Sequence, residues 1–237
     1  MLTGEAKAPD GLRLYAIGDI HGMDDKLAAV HAAIAADLAA RPAPDHRIIH
    51  LGDYGDRGPN SAGVVTRLIG MAGDPRVMFL RGNHDQLWLD FLAEPDRHGG
   101  VFLKFGGKET LRSYGVGNRA RNYAQLAQMF AAALPAEHRA FLEGLRTSVQ
   151  FGDFFFAHAG VRPGVPLSQQ AAQDLVWIRE DFIGDTRDHG AVIVHGHTVT
   201  PTMTPEVWPN RIAIDTGAVF GGPLTCVAIE GREVRFL

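Results

Sequence analysis

The sequence contains a single cysteine, Cys226, among its 237 residues. A lone cysteine cannot form an intramolecular disulfide and has no second thiol with which to build a thiolate metal site. Its apolar neighbours Leu224 and Val227 indicate a buried strand residue rather than a reactive thiol. Basic charge is also scarce, because 23 Lys and Arg stand against 27 Asp and Glu, a formal net charge of −4. A surface that binds bulk nucleic acid is therefore not indicated, and we expect no nucleic acid partner.

Long apolar runs are missing as well. No stretch approaches the roughly 20 apolar residues that span a bilayer, so we expect no membrane association. Residues 1–11 mix charged residues with a proline and have no apolar core of the kind found in a secretory signal. We expect this segment to be flexible and the protein to be soluble and cytoplasmic. The remainder has ordinary globular composition, 46% hydrophobic and 21% charged, and its length predicts a single domain over residues 12–237.

Short apolar runs alternate with helical patterns in the first half of the chain. Strands are predicted at Leu12–Ile17, Arg47–Leu51 and Val77–Leu80, and apolar residues at helical spacing follow each of them. Strands that alternate with helices imply parallel strands joined by helical crossovers. In such sheets, ligands bind beyond the carboxyl ends of the strands. A site is therefore expected where these three strands end.

The second half of the chain has strand-like runs that are separated by glycine and proline turns. They cover Val149–Ala157, Ala191–His195, Arg211–Asp215, Leu224–Glu230 and Glu233–Leu237. Two sheets packed face to face, with helices outside, would account for both halves, so the predicted fold class is α/β. Residues 94–147 are the least regular part and are predicted to be an insertion of loops and short helices. Such an insertion either shapes access to a site or forms a helical cover that does not contact substrate.

Five short motifs place polar side chains at the ends of apolar runs. They are Gly18-Asp19-Ile20-His21-Gly22, Gly52-Asp53-Tyr54-Gly55-Asp56-Arg57-Gly58, Gly82-Asn83-His84-Asp85, His158-Ala159-Gly160 and His195-Gly196-His197-Thr198. Their donors are oxygens and nitrogens without a thiolate, which suits divalent cations such as Mn, Fe or Zn. Two such ions about 3.5–4 Å apart form a common centre for phosphoester hydrolysis. The motifs together predict a pair of metal ions.

The position of each motif indicates which side chains could be ligands. Asp19 and His21 are two residues apart on a loop after a strand, so both can point at one metal ion. Asp19 could instead cap the next helix, with His21 a polar loop residue. Asp53 could bridge both ions, and Asn83 offers a neutral oxygen. The full set of candidate ligands is Asp19, His21, Asp53, Asn83, His158 and His197.

These motifs, with the tracts His158–Pro163 and Asp174–Arg179, resemble those of the calcineurin-like metallophosphoesterase superfamily. Within it they resemble the bacterial serine/threonine protein phosphatases, and the similarity runs from about Leu12 to the C-terminus. The resemblance implies a central β-sandwich of two mixed sheets flanked by helices. It implies Asp19, His21 and bridging Asp53 on one metal ion, and Asp53, Asn83, His158 and His197 on the other. The metals it implies are two divalent ions, Mn²⁺ in preference to Fe or Zn.

The resemblance also implies a mechanism. Water or hydroxide between the ions attacks phosphorus in line. His84 is the expected general acid, oriented by Asp56, and Arg57 and Arg179 are expected to bind phosphate oxygens. Two plainer interpretations stay open, since Asp56 and Arg57 could be a surface ion pair and Arg179 could pair with its acidic neighbours.

Three positions depart from the pattern of the superfamily. Many members carry Gly-His-x-His with two histidine ligands, but Val199 stands at the second position, so His195 is expected in the strand or behind the ligands. Gly55 replaces an apolar β-branched residue, which predicts a more mobile loop around Asp56. Asp85 stands where the protein phosphatases mostly carry Glu, whereas Asp is common in symmetrical dinucleoside tetraphosphate hydrolases.

Three functions follow from these patterns. The first is a serine/threonine protein phosphatase that acts on phosphorylated protein or small phosphoesters. The alternative is a symmetrical dinucleoside tetraphosphate hydrolase. Those hydrolases tend to lack the acid that Asp56 supplies, which favours the phosphatase. A non-catalytic binding module is a remote third, because all the expected ligands and His84 are present.

Overall fold

The computed structural model describes residues 3–117 and 119–237. Within these ranges the chain forms two five-stranded sheets. The strands are β1 (Leu12–Ile17), β2 (Asp45–His50), β3 (Val77–Phe79), β4 (Ser148–Phe151), β5 (Phe154–Ala157), β6 (Val192–His195), β7 (Glu206–Val207), β8 (Arg211–Ala213), β9 (Cys226–Glu230) and β10 (Glu233–Phe236). The first sheet has the order β10-β9-β1-β2-β3, and the second has the order β4-β5-β6-β8-β7.

Both sheets are mixed. In the first, β1, β2 and β3 are parallel and β9 and β10 are antiparallel additions. In the second, β5, β6 and β8 are parallel, and the edge strands β4 and β7 run against them. The predicted α/β fold with two mixed sheets is therefore confirmed.

Side chains alternate between the two faces of each sheet. Leu14 and Ala16 of β1 pack between the sheets, in one cluster with Phe154 and Phe156 of β5. Tyr15, one residue along, faces the helices instead. Both faces are buried, which explains why these strands are nearly continuous apolar runs.

Helices cover the outer face of each sheet. They are α1 (Asp24–Ala40), α2 (Ser61–Ile69), α3 (Asn83–Ala93), α4 (Pro95–Phe102), α5 (Lys108–Ser113), α6 (Tyr123–Ala133), α7 (Ala136–Glu143), α8 (Ala172–Trp177) and α9 (Glu180–Ile183). Helices α1 to α7 pack on the first sheet, and α8 and α9 on the second. A π-helical turn, Leu103–Gly107, joins α4 to α5. In the described residues, none of the helices is long and apolar enough to span a bilayer.

The predicted insertion, residues 94–147, contains α4 to α7 and the π-helical turn; its residue 118 lies outside the described residues. Phe102 of α4, Leu111 of α5 and Phe130 of α6 are buried in one apolar cluster with Trp88 and Phe91 of α3. We call α4 to α7 with this turn the helical cap. It packs beside the loop that carries Asp56, where its contacts bear on the candidate site.

Two local expectations differ from the structure. Val149–Ala157 is two antiparallel strands rather than one, because the chain turns at Gly152, whose φ is +55°. The segment before β1 is packed where flexibility was expected: Ala6 and Ala8 are buried between the sheets, and the amide of Ala8 donates to the carbonyl of Gly231 at 2.8 Å. Residues 1 and 2 of that predicted flexible segment lie outside the described residues.

Candidate active site

The loops that follow the parallel strands of both sheets meet at one edge of the sandwich. The first sheet contributes the loops after β1, β2 and β3, and the second contributes those after β5, β6 and β8. The structure brings together six buried side chains on these loops, which we call the ligand cluster: Asp19, His21, Asp53, Asn83, His158 and His197. Each leaves the carboxyl end of a strand, where α/β sheets bind ligands.

Asp53 lies at the centre of the ligand cluster. Its Oδ2 is 3.4 Å from Nε2 of His21, and its Oδ1 is 3.4 Å from Nε2 of His158. Two groups of side chains have donor atoms close enough to hold one ion each, His21 with Asp53 and His84, and Asp53 with His158 and His197. Because Asp53 belongs to both groups, its two oxygens could serve two ions.

Backbone carbonyls fix the orientation of two histidines. Nδ1 of His21 lies 2.7 Å from the carbonyl oxygen of Gly55, and Nδ1 of His158 lies 3.1 Å from that of Leu51. A carbonyl oxygen can only accept, so Nδ1 carries the proton in each ring and Nε2 presents a lone pair. Both Nε2 atoms point towards Asp53, as ligands of a metal ion near it would.

The donor set fits cations better than it fits internal hydrogen bonding. Nε2 of His158 lies 3.0 Å from Oδ1 of Asn83, so two acceptors face each other. Nε2 of His197 is buried and has no hydrogen-bond partner among the described residues. Burial and neighbouring carboxylates raise the pKa of Asp19 and Asp53, and burial lowers that of His158 to about 3. Unprotonated imidazoles converging on buried carboxylates are what a divalent cation requires.

Two of the expected ligands are carboxylates, Asp19 and Asp53. Asp19 is the one that belongs to neither group of donor atoms. Both of its oxygens accept the amide hydrogen of His197, at 3.1 Å each. Asp215, which follows β8, lies beside it, and its charge contributes to the raised pKa of Asp19. The structure therefore brings Asp19 to the cluster, where it also holds the loop of His197.

Backbone strain is concentrated at this edge of the sandwich. Among the described residues, six non-glycine residues have φ between +46° and +67°, and five of them belong to the motifs: His21, Asp53, Asp56, Arg57 and His197. Such conformations are costly and persist where surrounding contacts hold them, as at functional sites. Asp85 supplies contacts of this kind, since its Oδ2 accepts from the amides of Asp53 and Gly82 at 2.8 Å.

Beside the ligand cluster stand Asp56 and His84, which we call the acid pair. Oδ2 of Asp56 lies 2.8 Å from Nδ1 of His84, and both side chains are buried. Burial lowers the pKa of His84, with help from the charges of Arg57 and Arg179, and burial raises the pKa of Asp56 to about 7. A bound phosphate dianion would counter these arginine charges and favour protonation of the pair.

The two arginines predicted to bind phosphate lie close to the cluster. Arg57 is half-buried, and its Nη1 lies 2.5 Å from Nε2 of His21. Arg179 is exposed, just after α8, and its charge adds to burial in lowering the pKa of His84 and His197. Both cations are therefore near the place where a phosphate would contact the cluster.

The family model for calcineurin-like phosphoesterases matches residues 12–222 of the chain. The chain belongs to this family. It is therefore a phosphoester hydrolase, and the family uses a dinuclear metal centre. Four side chains of the ligand cluster, His21, Asp53, His158 and His197, have donor atoms placed so that they could hold such ions.

The relatives cover nearly the whole chain. A bis(5'-nucleosyl)-tetraphosphatase PrpE [asymmetrical] of Anoxybacillus flavithermus is 26% identical, covering 92% of this chain and 90% of its own. A symmetrical bis(5'-nucleosyl)-tetraphosphatase of Dechloromonas aromatica is 28% identical, covering 93% and 94%. A protein serine/threonine phosphatase from Saccharomyces cerevisiae shares the fold, with a TM-score of 0.58, 14% identity, and coverage of 96% and 79%.

Several residues of this phosphoesterase site were not predicted from the sequence. Asp215 is the last residue of the predicted strand Arg211–Asp215, and that position at a strand end was the available signal. Trp88 and Thr110 contact Asp56 from α3 and from the helical cap, and no local pattern marks either. His195 is the last residue of β6, and its ring packs edge-on against that of Phe182, with 5.1 Å between the ring centroids.

Aromatic side chains surround the ligand cluster. The ring of Phe105 lies 5.8 Å from that of His84, and the ring of Trp177 lies 6.4 Å from that of His197. Phe220, 56% exposed, lies 5.5 Å from the guanidinium carbon of Arg57. These rings could contact the part of a substrate that extends from its phosphate.

Proposed function

We propose that the protein is a phosphomonoesterase that removes phosphate from serine and threonine side chains of proteins. The observation that carries the proposal is the buried acid pair, with 2.8 Å between Asp56 and His84. The other ring nitrogen of His84, Nε2, is 3.9 Å from Oδ2 of Asp53. In this proposal His84 is the proton donor, beside the side chains that would hold the metals.

The ligand cluster would hold two divalent ions, Asp19, His21 and Asp53 on one side and Asp53, Asn83, His158 and His197 on the other. Such ions lower the pKa of a shared water molecule and neutralise charge on phosphate oxygens. Oxygen and nitrogen donors without thiolate suit Mn²⁺, which we propose as the native metal, over Fe or Zn.

His84 is suited to the departure of the leaving group. As the P–O bond breaks, its electron pair passes to the leaving oxygen, and Nε2 of His84 gives that oxygen a proton. Asp56 accepts the hydrogen bond from Nδ1 and stabilises the charged ring before the transfer. Arg57 and Arg179 would bind the non-bridging oxygens, where a planar guanidinium matches an oxyanion.

The acid pair bears on the substrate class. A serine or threonine alkoxide is strongly basic and leaves poorly unless it is protonated. A nucleotide that leaves from an anhydride departs as a phosphate, whose second pKa is about 6, and needs little proton donation. A buried, oriented proton donor therefore favours alkyl phosphoesters.

A second candidate is hydrolysis of bis(5'-nucleosyl) tetraphosphates. The names of the curated relatives favour it, since the Anoxybacillus and Dechloromonas proteins carry that activity in their names. The rings of Phe105, Trp177 and Phe220 could stack on a nucleobase, which supports the same candidate.

The test is a substrate comparison on dialysed protein to which Mn²⁺ is restored. We expect kcat/KM for phosphoserine and phosphothreonine peptides to exceed that for diadenosine tetraphosphate. Cleavage of the dinucleotide that is faster by orders of magnitude would overturn the proposal in favour of the second candidate.

A further inference from the structure

Both oxygens of the buried Asp56 carboxylate are engaged. Oδ2 accepts from Nδ1 of His84 at 2.8 Å. Oδ1 accepts from Nε1 of Trp88 at 2.8 Å and from the hydroxyl of Thr110 at 2.6 Å. Asp56 has no exposed surface, so water cannot replace a lost donor. The direction in which the carboxylate presents Oδ2 to His84 thus depends on Trp88 and Thr110.

Thr110 holds Asp56 at two points. Besides donating to Oδ1, its oxygen accepts the amide hydrogen of Asp56 at 2.9 Å. The amide also lies 3.2 Å from the hydroxyl of Ser61, which is 3.1 Å from that of Thr110. These contacts fix the backbone of a residue whose φ is +64°, a conformation that non-glycine residues rarely adopt.

Trp88 reaches Asp56 only because residue 55 is a glycine. A Cβ on Gly55 would lie 2.0 Å from Cζ2 of Trp88, well inside contact distance. The indole ring of Trp88 thus occupies the space that a side chain at residue 55 would fill. Gly55 therefore makes room for Trp88 directly beside Asp56.

The helical cap is docked at the same place. Thr110 is in α5, and the amide of Arg57 donates to the carbonyl of Gly106 at 3.1 Å, in the turn before α5. Asp56 and Arg57 are therefore both held by consecutive parts of the cap. Removing either contact would loosen the loop between the ligand cluster and the acid pair.

We propose that Thr110 and Trp88 are positioning residues that aim the Asp56 carboxylate at His84 and so set how well the proton reaches the leaving oxygen. The inference rests on the proposed function, because it assigns His84 the role of acid. It gives the cap a part in catalysis, although neither side chain contacts substrate. A carboxylate that is no longer oriented towards His84 weakens proton donation, while the metal ligands stay in place.

The experiment compares two substrates that differ in the basicity of the leaving oxygen. p-Nitrophenyl phosphate releases a weakly basic phenolate, whereas phenyl phosphate releases one about as basic as that of tyrosine, pKa ~10. We expect Thr110→Val and Trp88→Phe to lower kcat/KM for phenyl phosphate about 10–100-fold, part of what an acid contributes. The loss for p-nitrophenyl phosphate should be at least about tenfold smaller, and bound manganese should stay at the wild-type level.

Three comparisons separate positioning from a general loss of structure. Thr110→Ser keeps the hydroxyl and should restore most of the activity on phenyl phosphate. Thr66→Val removes an exposed hydroxyl that donates to the carbonyl of Ala62 and lies 3.3 Å from Nε2 of His138. Trp208→Phe removes a surface indole that donates to Glu206. Neither hydroxyl nor indole contacts Asp56, so both variants should behave as wild type. In an Asp56→Asn background, Thr110→Val should change the rate by less than about twofold, because its effect passes through Asp56.

The outcomes distinguish this inference from the proposed function. Equal losses on both substrates, or no loss, in folded Thr110→Val and Trp88→Phe would overturn the positioning role. His84→Asn measured on the same pair tests the proposed function itself. If the loss of kcat/KM in His84→Asn does not depend on the leaving group, the acid role fails. If that loss depends on the leaving group but the losses in Thr110→Val and Trp88→Phe do not, only the positioning role fails.

Discussion

The ligand cluster and the acid pair are neighbours, but different parts of the fold hold them. The ligand cluster stands on loops at the ends of parallel strands and is fixed largely by backbone groups, such as the carbonyls of Gly55 and Leu51. The acid pair is fixed by side chains from helices, Trp88 and Thr110. Metal binding should therefore depend on the sandwich, and proton donation on the helices around it. Substitutions in either region test that division.

The largest effect is expected from Asp53→Asn, because Asp53 faces both groups of candidate ligands. Manganese content should fall, and activity should drop by about 10³-fold or more once the metals are lost. Elemental analysis with a p-nitrophenyl phosphate assay measures both quantities. Asp96→Asn, in the exposed first turn of α4, is the matched control and should keep metal and activity.

His84→Asn should separate the two regions most cleanly. The manganese content is expected to stay while kcat for a phosphoserine peptide falls about 10²–10⁴-fold, the usual contribution of a general acid. Elemental analysis and steady-state kinetics on the same preparation measure this. Loss of the metals in the variant would mean that His84 acts as a ligand and that the division is wrong.

Gly55→Val tests whether the helices hold the loop through Trp88. The new side chain would overlap the indole ring, so we expect the free energy of unfolding to fall by about 1–3 kcal/mol, as for other overpacked cores. Urea unfolding measures the change. Gly73→Val is the control, because a Cβ at Gly73 meets no atom within 4 Å. Equal stability of the two variants would contradict the packing role of Gly55.

The smallest effect on activity is expected from histidines away from the site, where a change would alter stability instead. Nε2 of His50 lies 3.0 Å from Nε2 of His31, and burial lowers the pKa of His50 to about 3. Between about pH 3 and 6.5 the unfolded chain binds a proton there that the folded protein does not, so stability rises with pH in that window. Acidification from pH 6.5 should therefore cost about 1.4 kcal/mol per pH unit for this residue.

Urea unfolding of the wild type and of His50→Leu between pH 4 and 8 measures that contribution. The slope of the variant should be smaller below pH 6.5 and the same above pH 7. Parallel curves throughout would show that His50 does not titrate differently in the folded and unfolded chains.

The candidate site was predictable where the signal is local. Each residue of the ligand cluster follows closely after an apolar run, so strand prediction alone brings Asp19, Asp53 and Asn83 to the same edge. Thr110 is 54 residues from Asp56 along the chain, and Trp88 is 32 residues from it. Neither position belongs to a sequence pattern that predicts the contact.

The fold was predictable for a similar reason. The prediction failed where the sequence pattern was ambiguous. Alternation of strands and helices indicated the first sheet. The turn at Gly152 and Asp153 lies inside one apolar stretch, so two strands looked like one. Ala6 and Ala8 are small residues in a polar segment, and only the tertiary structure shows that they fill space between the sheets.

Anomalous diffraction from crystals grown with Mn²⁺ tests the dinuclear centre most directly. The account predicts two peaks about 3.5–4 Å apart, on either side of the Asp53 carboxylate. One of them should lie among His158, His197 and Asn83. Peaks elsewhere, or no manganese at this edge of the sandwich, would contradict it.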